Sequence, residues 1–216
     1  MKEVEFIKDI VHKSKAKGII IGISGGIDSA VVAYLCVKAI RKEKVCGLIL
    51  PSQFTPKEDI EDAKEVCRRL SIDSKEILLE PILEAFKFLP ENKMAWANLQ
   101  SRLRMILLYY YANGMGYLVA GTTDKSESFL GYYTKYGDGG VDFEPIIHLT
   151  KTEVKELGKK LGIPESILLK KPAPRLWKDH EAEKELGISY EVLDKLLDQN
   201  KKTIHKRKQP LHIQED

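Results

Sequence analysis

Apolar positions along the chain alternate between a helical and an extended period. Val4, Phe6, Ile7, Ile10 and Val11 recur at helical spacing and predict an amphipathic helix over 2–15. Ile19 to Ile23 is an unbroken apolar run, short enough for a buried strand. Ala30 to Ile40 is apolar on nearly every side, as in a buried helix. Val45 to Leu50 predicts a second strand ending at Pro51. Thr55 then reads as an N-cap, with Pro56 at the first helical position and Glu58 closing a capping box. Ile60, Ala63, Val66, Cys67 and Leu70 form the buried face of that helix. Lys75 to Leu79 predicts a third strand, and Ile82 to Leu89 a short helix stopped by Pro90. Lys93 to Asn113 predicts a long helix with Leu99, Leu103, Ile106, Leu107 and Tyr110 inward, ended by Gly114 and Gly116. Tyr117 to Gly121 is the fourth strand. Residues 122–148 are polar without a helical period and read as a long loop, of the kind that carries function in compact domains. A capping box from Thr150 to Glu153 opens a helix ending at Gly162, 171–180 is irregular, and Ser189 to Gln199 is amphipathic and helical.

Strands alternating with helices predict an α/β fold: a doubly wound, Rossmann-like parallel sheet, with 1–216 as a single domain. Ligands of such sheets lie outside the carboxyl ends of the strands. Gly22 to Asp28, Pro51 to Gln53 and Gly121 to Asp124 all fall at such ends.

The first of these, Gly22-Ile23-Ser24-Gly25-Gly26-Ile27-Asp28-Ser29, carries the strongest chemistry. A strand, a glycine turn and a helix start present free N–H groups to an anion, and the glycines let it come close. No Gly-Lys-Ser/Thr is present, so the loop is not a Walker A. Where a cation would be expected, it has Asp28. A carboxylate beside polyphosphate repels it unless a cation lies between them, so Asp28 implies Mg²⁺ bridging to phosphate oxygens. The simpler alternative is that Ser24 and Asp28 only cap the helix.

Charge narrows the partners. With 35 basic and 32 acidic residues the net charge is +3, too balanced for nucleic-acid binding by bulk charge. Cys36, Cys46 and Cys67 show no CxxC spacing and sit among apolar residues, as reduced core cysteines of a cytoplasmic protein do. Residues 1–17 are too charged for a signal peptide, and no stretch is long and apolar enough to span a membrane.

Ser24-Gly25-Gly26-Ile27-Asp28-Ser29 resembles the SGGxDS loop of the N-type ATP pyrophosphatases, which have an adenine nucleotide alpha hydrolase-like fold and cut ATP between its α and β phosphates. Further motifs narrow the resemblance. Gly131-Tyr132-Tyr133-Thr134-Lys135-Tyr136-Gly137-Asp138-Gly139-Gly140 is similar to the signature of NAD synthetases. Asn98-Leu99-Gln100-Ser101-Arg102-Leu103-Arg104 resembles their N-x-x-A/S-R-x-R helix. Glu185 to Tyr190 and His205-Lys206-Arg207 match as well, so the resemblance runs from about residue 18 to 208. It implies amidation of deamido-NAD with ATP and Mg²⁺, by way of an adenylated intermediate, in a homodimer. It also implies roles by position. Ser24 to Ser29 and Thr122 would hold ATP, Lys151 would reach its phosphates, and Asp28 and Glu127 would ligate Mg²⁺. Arg102, Lys135, Asp142, His205 and Lys206 would bind deamido-NAD. Lys151 has a local peculiarity: a cation in the first turn of a helix is disfavoured by the helix dipole.

Two departures stand out. The family's Pro-Ser/Thr-Ala-x-Leu, whose hydroxyl contacts ATP, is here Pro172-Ala173-Pro174-Arg175-Leu176, which raises the question of whether Arg175 compensates. The Gln-Thr-Asp-Glu that follows is His180-Glu181-Ala182-Glu183. The chain carries no glutaminase-like segment, and none of its cysteines has a recognisable His and acid partner, so ammonia is the expected nitrogen donor. The three tyrosines 109–111 on the long helix suggest a dimer contact surface. Two other readings compete. One is another ATP pyrophosphatase, such as a GMP synthetase subunit or a tRNA thiolase, the latter needing paired cysteines or a basic RNA face. The other is a silent nucleotide-binding regulator, which intact Asp28, Glu127 and Lys135 argue against.

Overall fold

The computed structural model describes residues 1–199. Four parallel strands, β1 (Gly18–Gly22), β2 (Val45–Ile49), β3 (Asp73–Glu76) and β4 (Tyr117–Ala120), form one sheet in the order β3-β2-β1-β4. The first three strands step outward from β1, and β4 returns to its other side. The topological switch, where α/β sheets bind ligands, therefore lies at β1 and β4.

The alternation of side chains along β1 explains why helices cover both faces. Ile19 and Ile21 point into one cluster with α1 (Lys2–Ser14), α2 (Ile27–Ala39), α3 (Lys57–Leu70) and α7 (Lys151–Leu161). Ile20 points the other way, to Leu83 of α4 (Glu80–Glu84), Leu103 and Ala112 of α5 (Lys93–Met115), and Leu48 and Val119. All three isoleucines are fully buried, each contributing about 2–3 kcal/mol of apolar transfer. The doubly wound sheet is as expected, and the element boundaries shift by a few residues. Among the described residues no helix is long and apolar enough to cross a membrane. Cys36 and Cys67 are buried, Cys46 is half-buried, and all three are free thiols.

Four expectations fail locally. The start of α3 has no side-chain cap: Pro56 is the N-cap residue, and the Thr55 hydroxyl instead accepts a hydrogen bond from Ser52 N–H at 3.0 Å. The Ser52–Thr55 turn takes the oxygen before the helix can use it. On α5, Ile106 and Tyr110 are 54% and 73% exposed rather than inward. Polar side chains claim the inner face because they have partners there. Gln100 donates to Leu176 O, Ser101 to Asp138, and Arg104 to Leu50 O. Gly114 lies inside α5, and Gly116 alone ends it, at φ 68°. Finally, 122–148 is not all loop, because α6 (Lys125–Leu130) forms within it.

Candidate active site

The turn after β1 is held open by its own hydroxyls. Ser24 N–H donates to Ser29 Oγ at 3.2 Å, Gly26 N–H to Ser24 Oγ at 3.3 Å, and Ser29 Oγ to Gly26 O at 3.1 Å. Gly25 adopts φ +78°, the left-handed region that favours glycine. The start of α2 has no side-chain cap, so Asp28 is not a capping residue. It faces a crevice of about 470 Å³ at the carboxyl ends of β1, β2 and β4, as do Gly22, Ile23, Ser24, Ile27 and Thr122.

Opposite Asp28 lies Lys151, buried to 1% exposure. Its ammonium is 2.8 Å from both oxygens of Asp28, 2.9 Å from Glu127 and 2.8 Å from Asp124. Burial works against its charge, but the three carboxylates outweigh it and hold the ammonium well above its usual range. Glu127 is pushed up to about 8, chiefly by burial and then by its two acidic neighbours, with Lys151 opposing. Two reciprocal capping boxes supply these groups. Asp124 and Glu127 open α6, and Thr150 and Glu153 open α7, placing Lys151 at the first position of that helix. The cation that the α7 dipole disfavours is thus stabilised by acids from two other elements.

One carboxylate behind the cluster aligns the two helix starts. Asp194, on α10 (Tyr190–Gln199), accepts from Ser126 Oγ at 2.5 Å, from Thr152 N–H at 2.8 Å and from Thr152 Oγ1 at 2.7 Å. Ser126 Oγ in turn accepts from Lys151 N–H at 3.1 Å. Ser126 precedes Glu127 and Thr152 follows Lys151, so Asp194 sets the spacing of both. Replacing it with Ala removes the acceptor of three donors, of which the Ser126 hydroxyl is buried. Asp194→Ala is expected to destabilise the protein by about 2 kcal/mol, read as a shift in denaturant midpoint, with Asp194→Asn milder. An unchanged midpoint for the alanine variant would refute this.

The helix motif and the glycine-rich motif form one unit. Thr134 Oγ1 donates to Asn98 Oδ1 at 2.8 Å, Ser101 Oγ to Asp138 Oδ1 at 2.6 Å, and Arg102 to Lys135 O at 3.3 Å. A Cβ at Gly137 would lie 2.4 Å from Ser101 Oγ, so only glycine fits against the helix. Arg102 and Lys135 are therefore brought together, both exposed. Asp142 lies apart: its carboxylate accepts from Val119 N–H at 2.7 Å and Tyr109 OH at 3.1 Å, along the β4 edge. His205 and Lys206 fall outside the described residues.

The sequence profile of the family described as NAD synthase matches residues 1–215. The chain belongs to the NAD synthase family. A curated NH(3)-dependent NAD(+) synthetase from Pyrobaculum aerophilum is 50% identical over 198 residues, covering 89% of this chain and 73% of the relative. One from Archaeoglobus fulgidus is also 50% identical, covering 89% and 79%. Among solved structures, an NMN synthetase from Francisella tularensis superposes with a TM-score of 0.86 at 39% identity, covering 92% of this chain and 84% of that one. An NH3-dependent NAD synthetase from Campylobacter jejuni gives 0.78 at 36% identity, covering 94% and 83%.

The segment 171–180 forms a strap along the crevice. Arg175, at φ +57°, donates to Asp59 Oδ2 at 3.0 Å, and the other oxygen of Asp59 binds Lys170 at 2.7 Å. Lys170 also reaches Asp62 at 2.6 Å and donates to Gly25 O at 2.9 Å. The strap is thereby pinned to the phosphate-type loop, and Arg175 acts first as part of that brace. His180 closes the far end. It is buried, its ring stacks on Trp177, Nε2 lies 2.8 Å from Glu185 Oε2, and Nδ1 accepts from Leu176 N–H at 3.4 Å. Tyr132 OH donates to the same Glu185 oxygen at 2.5 Å. Burial raises Glu185, but these two bonds outweigh it and hold the carboxyl below its usual range.

This arrangement suits neutral imidazole, with the proton on Nε2. Burial, with Lys93 and Arg175 nearby, pulls His180 below its ordinary value and outweighs the Glu185 contact. Its folded pKa is thus lower than its unfolded one, so the stabilisation is complete above about pH 6.5 and is lost as pH falls from there through the folded value. Hydrogen exchange at the Leu176 amide should accelerate beyond its intrinsic trend between about pH 7 and 5.5, and His180→Gln should flatten that response. A wild-type rate following the intrinsic trend alone would contradict this.

Proposed function

We propose that this crevice carries the ammonia-dependent amidation of deamido-NAD to NAD, the ligase reaction of the family, with ATP cut between its α and β phosphates. The single observation behind the placement is that Asp28, uncapping and crevice-facing, meets Glu127 and Lys151 beside an open glycine turn. A carboxylate cannot accept an amine directly, because oxide is too poor a leaving group. The nicotinate carboxylate therefore attacks the α phosphorus and pyrophosphate departs, leaving an acyl adenylate. Ammonia then attacks the acyl carbon, AMP departs, and a proton is released. The Ser24–Ser29 turn offers the departing pyrophosphate N–H groups already in place, and the family pattern assigns the ATP phosphates to Lys151, which is buried against Asp28 and Glu127.

Mg²⁺ fits the donor set. Asp28 and Glu127 are hard oxygen ligands, each about one-fifth exposed toward the crevice, in a cluster where acids outnumber the one base. Among the described residues no group of three or more protein ligands is arranged for a metal, which suits an ion held by two carboxylates and substrate phosphates. Bound there, it would neutralise charge on the polyphosphate. Thr122 borders the crevice for ATP. Arg102 and Lys135 form a basic edge for deamido-NAD, with Asp142, His205 and Lys206 assigned by the family pattern alone. The exposed faces of Ile106 and Tyr110 on α5 support a homodimer, and we place the enzyme, a single domain over 1–216, in the cytoplasm.

Mass spectrometry with deamido-NAD, ATP and Mg²⁺ tests the reading, supplied with ammonium or with glutamine. NAD, AMP and pyrophosphate are expected with ammonium only. The likeness to an NMN synthetase motivates a second arm with nicotinate mononucleotide; amidation of that substrate alone would overturn the choice of deamido-NAD.

A further inference from the structure

Buried polar atoms nearly always have partners, so exceptions call for an explanation. Among the described residues four buried side-chain atoms make no hydrogen bond: Ser52 Oγ, Gln100 Oε1, Asp124 Oδ2 and Tyr190 OH. Asp124 Oδ2 is nonetheless ion-paired, 2.8 Å from the Lys151 ammonium. Of the four residues, only Tyr190 lines the crevice. It is 4% exposed and begins α10, where its N–H donates to Glu183 Oε1 at 2.8 Å. Its ring packs in a cluster with Ala182, Leu193 and Leu197 and lies 5.0 Å from the Lys151 ammonium. The side chain is thus fixed by its neighbours while its hydroxyl remains unused.

The hydroxyl keeps its proton to donate. Burial, reinforced by Glu127, Asp124 and Asp28 and opposed by Lys151, raises the phenol far above its usual range, so it stays protonated and donates. A donor left unpaired in a buried place lowers stability. An acceptor carried in by a ligand would complete it, and the surroundings specify that ligand's chemistry. On this side the crevice is lined by Asp28 and Glu127, the two carboxylates proposed to hold a metal, which is where a polyphosphate would be bound.

We infer that Tyr190 is a further substrate-contacting residue, its hydroxyl donating to an oxygen of the ATP polyphosphate. This rests on the placement of ATP proposed above. Tyr190→Phe tests it, since the change removes one oxygen and keeps the ring. Stability and binding should then move in opposite directions. The melting temperature should hold or rise, while the Kd for inorganic pyrophosphate and for α,β-methylene-ATP, measured calorimetrically with Mg²⁺, weakens about five- to tenfold. Unchanged binding in the variant would overturn the inference and leave the ATP site standing. A fall in melting temperature with binding restored on cooling would also overturn it, as the hydroxyl would then be structural. If the wild-type protein binds neither probe, both the inference and the ATP placement fail.

Discussion

Asp28→Ala is expected to lower kcat/KM by about a thousandfold while leaving the fold intact, a loss of the size seen when a preorganised charge-stabilising group is removed. The reason lies in what Asp28 does and does not touch. It caps nothing in α2, and its side chain is about one-fifth exposed toward the crevice. Without it, Lys151 still has Asp124 and Glu127, so no buried cation is left unpaired. What is lost is one of two carboxylates facing the phosphate-type turn. Pyrophosphate release measured beside a thermal melt checks both halves. Near-normal turnover would remove Asp28 from the chemistry, and a collapse in melting temperature would make it structural.

Gly25→Ala should have the second-largest effect, for a different reason. A Cβ there would lie 2.1 Å from the backbone oxygen of Asp59, and the residue sits at φ +78°. The obstacle is main chain, held in place because Asp59 is gripped by Lys170 and Arg175, so it cannot move aside as a flexible side chain would. The turn must shift, at about 2–4 kcal/mol of stability and about a hundredfold in kcat/KM. Gly114→Ala is the matched control. That glycine lies inside α5, nothing approaches its Cβ position within 4 Å, and helix propensity favours alanine by about 1 kcal/mol. Equal melting temperatures for the two variants would refute the argument.

Local patterns made much of this legible beforehand. The β1 run, the glycine turn, the α7 capping box and the doubly wound sheet each depend on neighbours in sequence, where spacing carries the signal. The peculiar charge at Lys151 was visible as a misfit with the helix dipole, and the structure resolves it with partners 24 to 123 positions away. α6 was missed although Asp124 and Glu127 spell the same box that revealed α7, because the surrounding polar run lacks an apolar period. Hydrophobicity alone places Ile106 and Tyr110 on the wrong side of α5. There, Gln100, Ser101 and Arg104 had partners inside, and hydrogen bonds set the rotation. Asp194 and Tyr190 gave no local signal. Each matters only through residues on α6 and α7, a relationship that a single chain read in order does not expose.

The borders of the sheet limit how copies of the molecule can join. All four residues of β3 are solvent-exposed, and three of them, Asp73, Lys75 and Glu76, are charged. Such a rim discourages the docking of a foreign strand. The opposite rim is already occupied, since Phe143 bridges Ala120, Asp142 N–H donates to Val119 O, and the Asp142 carboxylate takes the Val119 amide. Among the described residues, extending the sheet from one copy into the next is thereby disfavoured at one rim and blocked at the other, which leaves the helical faces and loops as the surfaces open to contact.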